Sequence, residues 1–365
     1  MKEATGSTAK RRQVAQLAGV SEATVSRVLN GVGPVREETR RKVLEAADRL
    51  GYIPNALAKS MVLQKSGNIG VFLPYVPKVR LISTHYFSEL LSGIGHGVME
   101  RGLSLLLMFQ APDQGREYGL PFRTKKIDGA IILGARDRDI EREAFRELKK
   151  MGVPFCIVGA RFDGEGFCEV DADYRQGARL AVRHLFGQGY RRIAFVNGDP
   201  EFSNTADRRK GVLEELARLG LEIDGRLHLS GNYSRTSGYK AGRRLCRMRG
   251  RFDAVFAGND RMAIGVMQSL RERGMEAGRD YGLAGCDDED AARWCDPPLT
   301  TVRVPFFEMG RRAALRLIDM LDGGGDASGR EELPVELVVR RSSARGLPRP
   351  APAGHQTGQE RSEPT

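Results

Sequence analysis

The side chains of this chain best typed and spaced to act on another molecule lie within residues 13–30, and the chemistry they suit is recognition of double-stranded DNA. Ser21, Glu22, Ala23, Thr24, Ser26, Arg27 and Asn30 fall in one short segment, and hydroxyls, a carboxylate, an amide and a guanidinium can pair with base edges and phosphates. Helical spacing separates the polar row from Val25, Val28 and Leu29, which point the other way and supply an anchor. Ser21 is suited to the N-cap of a helix whose body is Glu22–Asn30. Gly19 permits the turn before it, and Ala15, a small residue, lets the two helices cross closely. A helical hairpin without a ligand would explain the caps, but not the polar row. The pattern predicts a helix-turn-helix whose second helix enters the major groove.

Further elements must hold this unit in place. Residues 36–51 predict a third helix: Val43, Leu44, Ala47 and Leu50 recur at helical spacing, Glu37/Arg41, Glu38/Lys42 and Glu45/Arg49 stand four apart, and Gly51 ends it. A short fourth helix starts after Pro54 and includes Asn55, Ala58 and Met61. So few turns do not form alone in water, so this helix needs a partner.

Val14-Ala15, Leu17-Ala18-Gly19-Val20-Ser21, Thr24-Val25-Ser26-Arg27-Val28-Leu29-Asn30, Glu38-Thr39-Arg40, Gly51-Tyr52 and Pro54-Asn55-Ala56 resemble the lactose/galactose-repressor (LacI/GalR) family of bacterial regulators. The resemblance runs through the core to about Arg341, with later landmarks at Arg208-Arg209-Lys210-Gly211, Ser237-Gly238-Tyr239, Gly258-Asn259-Asp260 and Pro297-Pro298-Leu299-Thr300-Thr301. It implies an N-terminal all-α helix-turn-helix head with a hinge helix, then a two-lobe α/β core with parallel sheets, resembling periplasmic binding proteins. It also implies a homodimer on a palindromic operator. Base choice falls to Glu22 and Ala23, with further DNA contacts from Tyr52, Asn55 and Ala58. Met61 becomes the minor-groove wedge, where the family most often has Leu. The implied effector site comprises Tyr86, Phe87, Arg208, Tyr233, Asn259, Asp260 and Asp287, and the implied effector is a small molecule such as a sugar or sugar phosphate.

Each cleft residue also has a plainer reading. Asp260 is read either as the cap of the helix that follows or as a ligand contact, and Asp173 as a cap. Phe87, on an apolar stripe with Leu90, Leu91, Ile94 and Val98, is read as core. Arg208 near a helix start opposes the macrodipole, which points to a functional reason for it. The acidic run Asp287, Asp288, Glu289, Asp290 cannot converge on one metal and is read as a solvated loop. Four departures from the family bear on effector identity. Gly159 stands where many sugar-responsive relatives carry Asp, Val304 where some carry Gln, and residues 75–84 form a longer loop, while Gly119-Leu120-Pro121 breaks an expected crossover helix.

Composition agrees with this division of labour. The chain has 365 residues and a formal net charge of +11, and residues 1–66 hold 12 Lys and Arg against 6 Asp and Glu. Such a basic head suits phosphate binding, although a solvated basic surface gives the same count. From residue 67, apolar runs at 69–73, 104–108, 130–133 and 155–158 predict strands of one lobe, and runs at 193–196, 254–257 and 282–285 those of a second. Two such lobes place a ligand at the strand carboxyl ends. The expected boundaries are 1–51 for the head, 52–66 for the hinge, 67–342 for the core and 343–365 for a disordered tail.

Other classes lack their signatures. Gly93, Gly95 and Gly97 fall inside a helix rather than after a strand, which argues against a phosphate loop, and neither Gly-x-Ser-x-Gly nor His-Glu-x-x-His occurs. Asp171-Ala172-Asp173 begins like a calcium loop but has Val182 where the bidentate Glu belongs. Cys156, Cys168, Cys246, Cys286 and Cys295 lack metal spacing and are read as reduced thiols. No cofactor, no catalytic activity and no membrane span are expected, and a polar start without a signal-peptide core points to the cytoplasm. The competing hypothesis is an extracytoplasmic solute-binding protein of a transport system, which explains the core but not the head.

Overall fold

A computed structural model describes residues 10–53, 65–77, 80–110, 117–222, 224–324 and 328–346. Three helices open the chain: α1 Arg11–Ala18, α2 Glu22–Asn30 and α3 Glu37–Arg49. The core continues as β1 Asn68–Pro74, α4 His85–Met99, β2 Ser104–Gln110, α5 Leu120–Arg123, β3 Gly129–Leu133, α6 Asp139–Lys150, β4 Phe155–Val158 and β5 Cys168–Ala172. It proceeds through α7 Tyr174–Gly187, β6 Ile193–Asn197, α8 Ser203–Arg218, β7 His228–Ser230, α9 Arg235–Cys246, β8 Ala254–Ala257 and α10 Asp260–Arg271. The last elements are β9 Gly282–Asp287, α11 Asp290–Trp294, β10 Thr300–Arg303, α12 Phe306–Leu321, β11 Gly329–Leu333 and β12 Glu336–Val338.

In the head, Val14, Ala15, Val25, Val28, Val43, Ala46 and Ala47 form a small apolar core. Its turns follow the local chemistry of the sequence. Gly19 ends α1 at φ 66°, and the Ser21 hydroxyl accepts the Thr24 N–H at 3.1 Å. Gly51, at φ 57°, lets the Tyr52 N–H reach back to the Ala47 carbonyl at 2.8 Å and close α3. Two expectations for α3 are corrected. Leu44 is 49% exposed, and Ala46 takes the inward place, because the face that meets α1 and α2 runs through 43, 46, 47 and 50. Glu37 lies nearest Arg40 rather than Arg41, and Arg41 faces Glu45.

The core folds into two six-stranded sheets with the orders β11-β5-β4-β3-β1-β2 and β12-β10-β9-β8-β6-β7. All the pairings are parallel except β10 with β12. The two lobes share one wiring, a repeat that the sequence does not display. The chain passes between lobes after β5, after β10 and after β11, so the lobes are joined by three short crossings. Tyr174, Val304, Phe306 and Leu333, at these crossings, belong to a hydrophobic cluster continuous through both lobes.

Glycines set the helix packing in the first lobe. A Cβ at Gly93 would stand 1.9 Å from the Phe307 carbonyl oxygen, and one at Gly310 would stand 2.2 Å from that of Leu90. The backbones of α4 and α12 therefore touch, which explains the glycines at 93 and 97 of α4 but not the one at 95, which faces only Leu105. Strands β5, β7, β10, β11 and β12 were not foreseen. They are short, and β5 and β11 carry acidic residues that mask an apolar run. The core also extends past residue 342: Ser342 and Ser343 are fully buried, and their hydroxyls bond the N–H and Oγ1 of Thr300 at 2.8 and 2.6 Å. Residues 347–365 of the expected tail lie outside the described residues. α5 is only four residues long, with Pro121 in its first turn and Lys125 at φ 53° just past its end, and the five cysteines are free thiols.

Candidate functional site

Two surfaces bring the expected residues together. On α2, Val25 and Val28 are buried while Glu22, Ala23 and Arg27 are exposed and Thr24 and Ser26 are half-buried. Ser21 spends its hydroxyl on the cap, and the Asn30 amide donates to the Ser26 hydroxyl at 3.2 Å. Glu22 is paired with Arg11 at 3.2 Å, which ties the start of α2 to α1. Tyr52 packs partly against the head core. Asn55, Ala58 and Met61 lie outside the described residues.

The second surface is a cavity of roughly 380 Å³ between the lobes, at the carboxyl ends of their strands. Pro74, Gly134 and Gly159 contribute the ends of β1, β3 and β4, and Asp199, Asn259 and Asp287 answer from β6, β8 and β9. Tyr86 and Phe87, from the first turn of α4, lie edge to face at 4.8 Å, and Tyr86 meets Phe306 in the same way at 5.1 Å. A Cβ at Gly159 would stand 2.3 Å from the Tyr86 hydroxyl, so the tyrosine fills the space that a side chain at 159 would need.

Arg208, in α8, is only 3% exposed. Its Nη1 donates to the Tyr233 hydroxyl at 3.0 Å and to the Asn204 carbonyl and side-chain oxygens at 3.3 Å, and its guanidinium lies 4.5 Å from the centre of the Tyr174 ring. Tyr233 and Asp287 hold positive φ angles of 64° and 117°, backbone strain located on the cavity wall. Asn259 caps α10 through the Met262 N–H and donates to the Tyr233 carbonyl at 3.1 Å.

Asp260 needs correction on both of its readings. Asn259 takes the cap, and Asp260, fully buried, is not among the residues lining the cavity. Its carboxylate accepts from the Thr301 hydroxyl at 2.5 Å and from the Glu289 N–H at 3.0 Å, so it braces the loop after β9. That loop is not simply solvated either. Asp288 is buried between Arg303 at 2.7 Å and Arg340 at 2.5 Å, and Asp287 and Glu289 line the cavity. Asp173 caps α7 as expected. Among the described residues no group of His, Cys, Asp and Glu could hold a metal ion.

A clasp of ion pairs joins the two lobes, and its Arg136 and Asp199 also line the cavity. Arg136 lies 3.2 Å from Asp199 and 2.5 Å from Glu201, Arg138 joins Glu201, and Arg161 contacts both oxygens of Asp207 at 2.8 Å. The sequence reading missed it, together with Tyr174, Phe202, Glu289 and Phe306 on the wall. Arg136 and Asp199 each lie just past the carboxyl end of a strand, and that position was the available signal.

Burial pushes the Asp287 carboxyl up to about 8, with Arg208 pulling the other way. The unfolded chain would ionise this group first, so stability drains as pH rises from the ordinary 3.8 towards about 8. Asp287→Asn removes this loss. Its melting temperature, relative to wild type, is expected to be higher near pH 9 than near pH 5; a difference independent of pH would contradict the burial.

A compact three-helix reader joined to a two-lobed core with a cavity at its strand ends defines a ligand-sensing DNA-binding regulator. Residues 12–55 match the family described as bacterial regulatory proteins, lacI family, and residues 182–343 match a periplasmic binding protein-like domain. The chain is similar to catabolite control protein A of Priestia megaterium, 32% identical over 90% of this chain and 98% of that protein. It is likewise 32% identical to the HTH-type transcriptional repressor CytR of Escherichia coli K12, over 95% of this chain and 99% of that protein. The solved lac repressor dimer bound to operator and the anti-inducer ONPF shares the fold at a TM-score of 0.80 and 27% identity, covering 92% of this chain and 99% of that one. A CelR–cellobiose complex gives a TM-score of 0.71 at 30% identity over the same shares. The chain belongs to the LacI family: it is a DNA-binding transcriptional regulator and not an enzyme. The solute-binding alternative falls on the head, which a transport protein has no use for. Among the described residues no helix is long and apolar enough to cross a membrane.

Proposed function

We propose that this chain is a homodimeric, cytoplasmic repressor that reads a palindromic operator and is controlled by a small polyhydroxylated effector bound between its lobes. The observation that carries the reading is the face of α2: Glu22, Ala23 and Arg27 stand exposed in one row on a helix anchored by the buried Val25 and Val28. A rigid helix with this face can lie in the major groove, Arg27 reaching a guanine edge or a phosphate and Glu22 and Ala23 choosing neighbouring bases. Met61 then serves as a wedge in the minor groove at the operator centre.

Two features support the rest. Leu107 and Phe109 are 44% and 51% exposed on β2, the edge strand of the first sheet, an apolar surface suited to a second copy. The lac repressor is a dimer on its operator, and CelR was solved with cellobiose. The cavity wall alternates rings with donors and acceptors, as a sugar requires. An effector that bridges the lobes changes the angle between them across the three crossings, and with it the separation of the two heads. Selection of binding sites from random duplex DNA tests the reading. The expected consensus is a palindrome, and a Glu22/Ala23 double substitution should change its bases; an unchanged consensus would remove these two residues as readers.

A further inference from the structure

Two of the five thiols stand side by side. Strands β4 and β5 run parallel, with Ile157 beside Glu169 and Val158 beside Val170, and one step back this register sets Cys156 beside Cys168. Both side chains join the core cluster that includes Ala313 and Leu317 of α12, whereas Phe155 and Ile157 serve the opposite face. Adjacent strands hold neighbouring Cα atoms about 4.8 Å apart. That spacing lies within the roughly 4.4–6.8 Å that a disulfide spans. The Cys156 thiol already donates to the Cys168 sulfur.

The surroundings give the two sulfurs different roles. Arg316 reaches down from α12, bonding the Gly329 carbonyl at 2.9 Å and the Cys168 sulfur. A thiol donor and a cation at one sulfur favour its thiolate, so Cys168 is held below the usual thiol range. Burial holds Cys156, which has no exposed surface, well above it. Cys168 opens β5 and keeps 5% of its surface exposed, and its in-register neighbour on β11 is Gly329. Among the described residues nothing lies within 4 Å of where a Cβ on Gly329 would stand, which leaves a small oxidant room beside Cys168. The other three thiols are engaged differently: Cys246 donates to the Ser269 carbonyl, Cys295 to those of Ala292 and Pro297, and Cys286 lies beside Arg208.

We propose that Cys168 and Cys156 form a peroxide-sensitive pair, in which Cys168 reduces a small hydroperoxide and Cys156 resolves the product into a disulfide between β4 and β5. The Cys168 thiolate attacks the terminal oxygen, an S–O bond forms as the O–O bond breaks, and the departing oxide takes up the proton that Cys168 had released. With hydrogen peroxide that first product is water. Cys156 then attacks the sulfenic sulfur, an S–S bond replaces the S–O bond, and the displaced hydroxide leaves as water with the Cys156 proton. The sulfurs lose two electrons and the peroxide gains them. The bond ties β4, which leads to Gly159 on the cavity, to β5, which runs into the first crossing between lobes.

Treatment of the reduced full chain with one equivalent of hydrogen peroxide, followed by peptide mapping, tests the pairing. Exposure alone ranks the half-buried Cys246 and Cys295 first. The proposal predicts instead that residues 156 and 168 are joined within one chain and that dithiothreitol frees them. Cys156→Ala should stop the reaction at a Cys168 sulfenic acid, which dimedone traps. Arg316→Gln should slow disulfide formation severalfold at neutral pH and recover at higher pH as the thiolate returns, while Arg316→Lys should keep most of the rate. A loss of rate that persists at high pH would make Arg316 a structural brace and remove it from the site. Oxidation at Cys246 or Cys295 with 156 and 168 left as thiols would overturn the proposal, and so would a disulfide formed between chains.

Discussion

Arg27→Ala is expected to weaken binding to the selected operator by about 1–3 kcal/mol, roughly five- to 150-fold in Kd, without unfolding the head. Arg27 is exposed in the last turn of α2, while Val25 and Val28 on the opposite face hold the helix in the core. Truncating it removes a groove contact and touches no packing. The salt dependence separates two ways of making that contact. If Arg27 bonds a phosphate, the slope of log K against log salt falls by about one and all sequences weaken alike; if it bonds a base edge, discrimination at one position relaxes. Fluorescence anisotropy with wild type and variant at several salt concentrations measures both, and an unchanged affinity would contradict the assignment.

Gly93→Val is expected to cost more than about 4 kcal/mol of stability and to prevent a normally packed first lobe. A Cβ at Gly93 would sit 1.9 Å from the Phe307 oxygen and 2.9 Å from the Arg311 nitrogen, both backbone atoms that no rotamer change can move aside. Gly97 repeats the contact one turn on, 2.8 Å from the Ala314 Cβ. Relieving the clash would separate α4 from α12 and open cavities around Leu90, Ile94 and Leu317, all fully buried. Gly95 is the internal control, because a Cβ there meets only Leu105 at 3.8 Å. Gly95→Ala is expected to be neutral or to stabilise by up to about 1 kcal/mol through helix propensity. Denaturant unfolding of the two variants checks the contrast; equal midpoints would show that the helices are not in backbone contact.

What the sequence disclosed was local. The Ser21 cap, the Gly19 turn and the inward Val25 and Val28 are written in neighbouring residues, and the apolar runs of four or five residues around Ile69, Ile131, Ile157 and Val196 identify buried strands without reference to the rest of the chain. Gly93, Gly95 and Gly97 could be assigned to a helix, but what they pack against could not, because Phe307 and Arg311 are more than two hundred positions away. The same separation hid the clasp, in which Arg136 meets Glu201 across 65 positions. Asp260 was misplaced for a different reason. Two adjacent residues, Asn259 and Asp260, are both good caps, and only the backbone decides which one precedes the helix. Asp288 was read as solvated because Arg303 and Arg340, which bury it, come from other elements. In the cavity, Arg208 and Asp287 were reached through the family resemblance, while Tyr174, Phe202 and Glu289 lacked any local signature that separates a wall residue from a core or surface one.

The measurement that most directly tests the account is an anisotropy titration of the full chain against the selected palindrome and against a shuffled duplex of the same length and composition, at one fixed salt concentration. The account predicts that the palindrome binds at least about a thousandfold tighter, with two chains per duplex. Equal affinity for the two duplexes would reduce the head to a basic surface and contradict sequence-specific reading by α2.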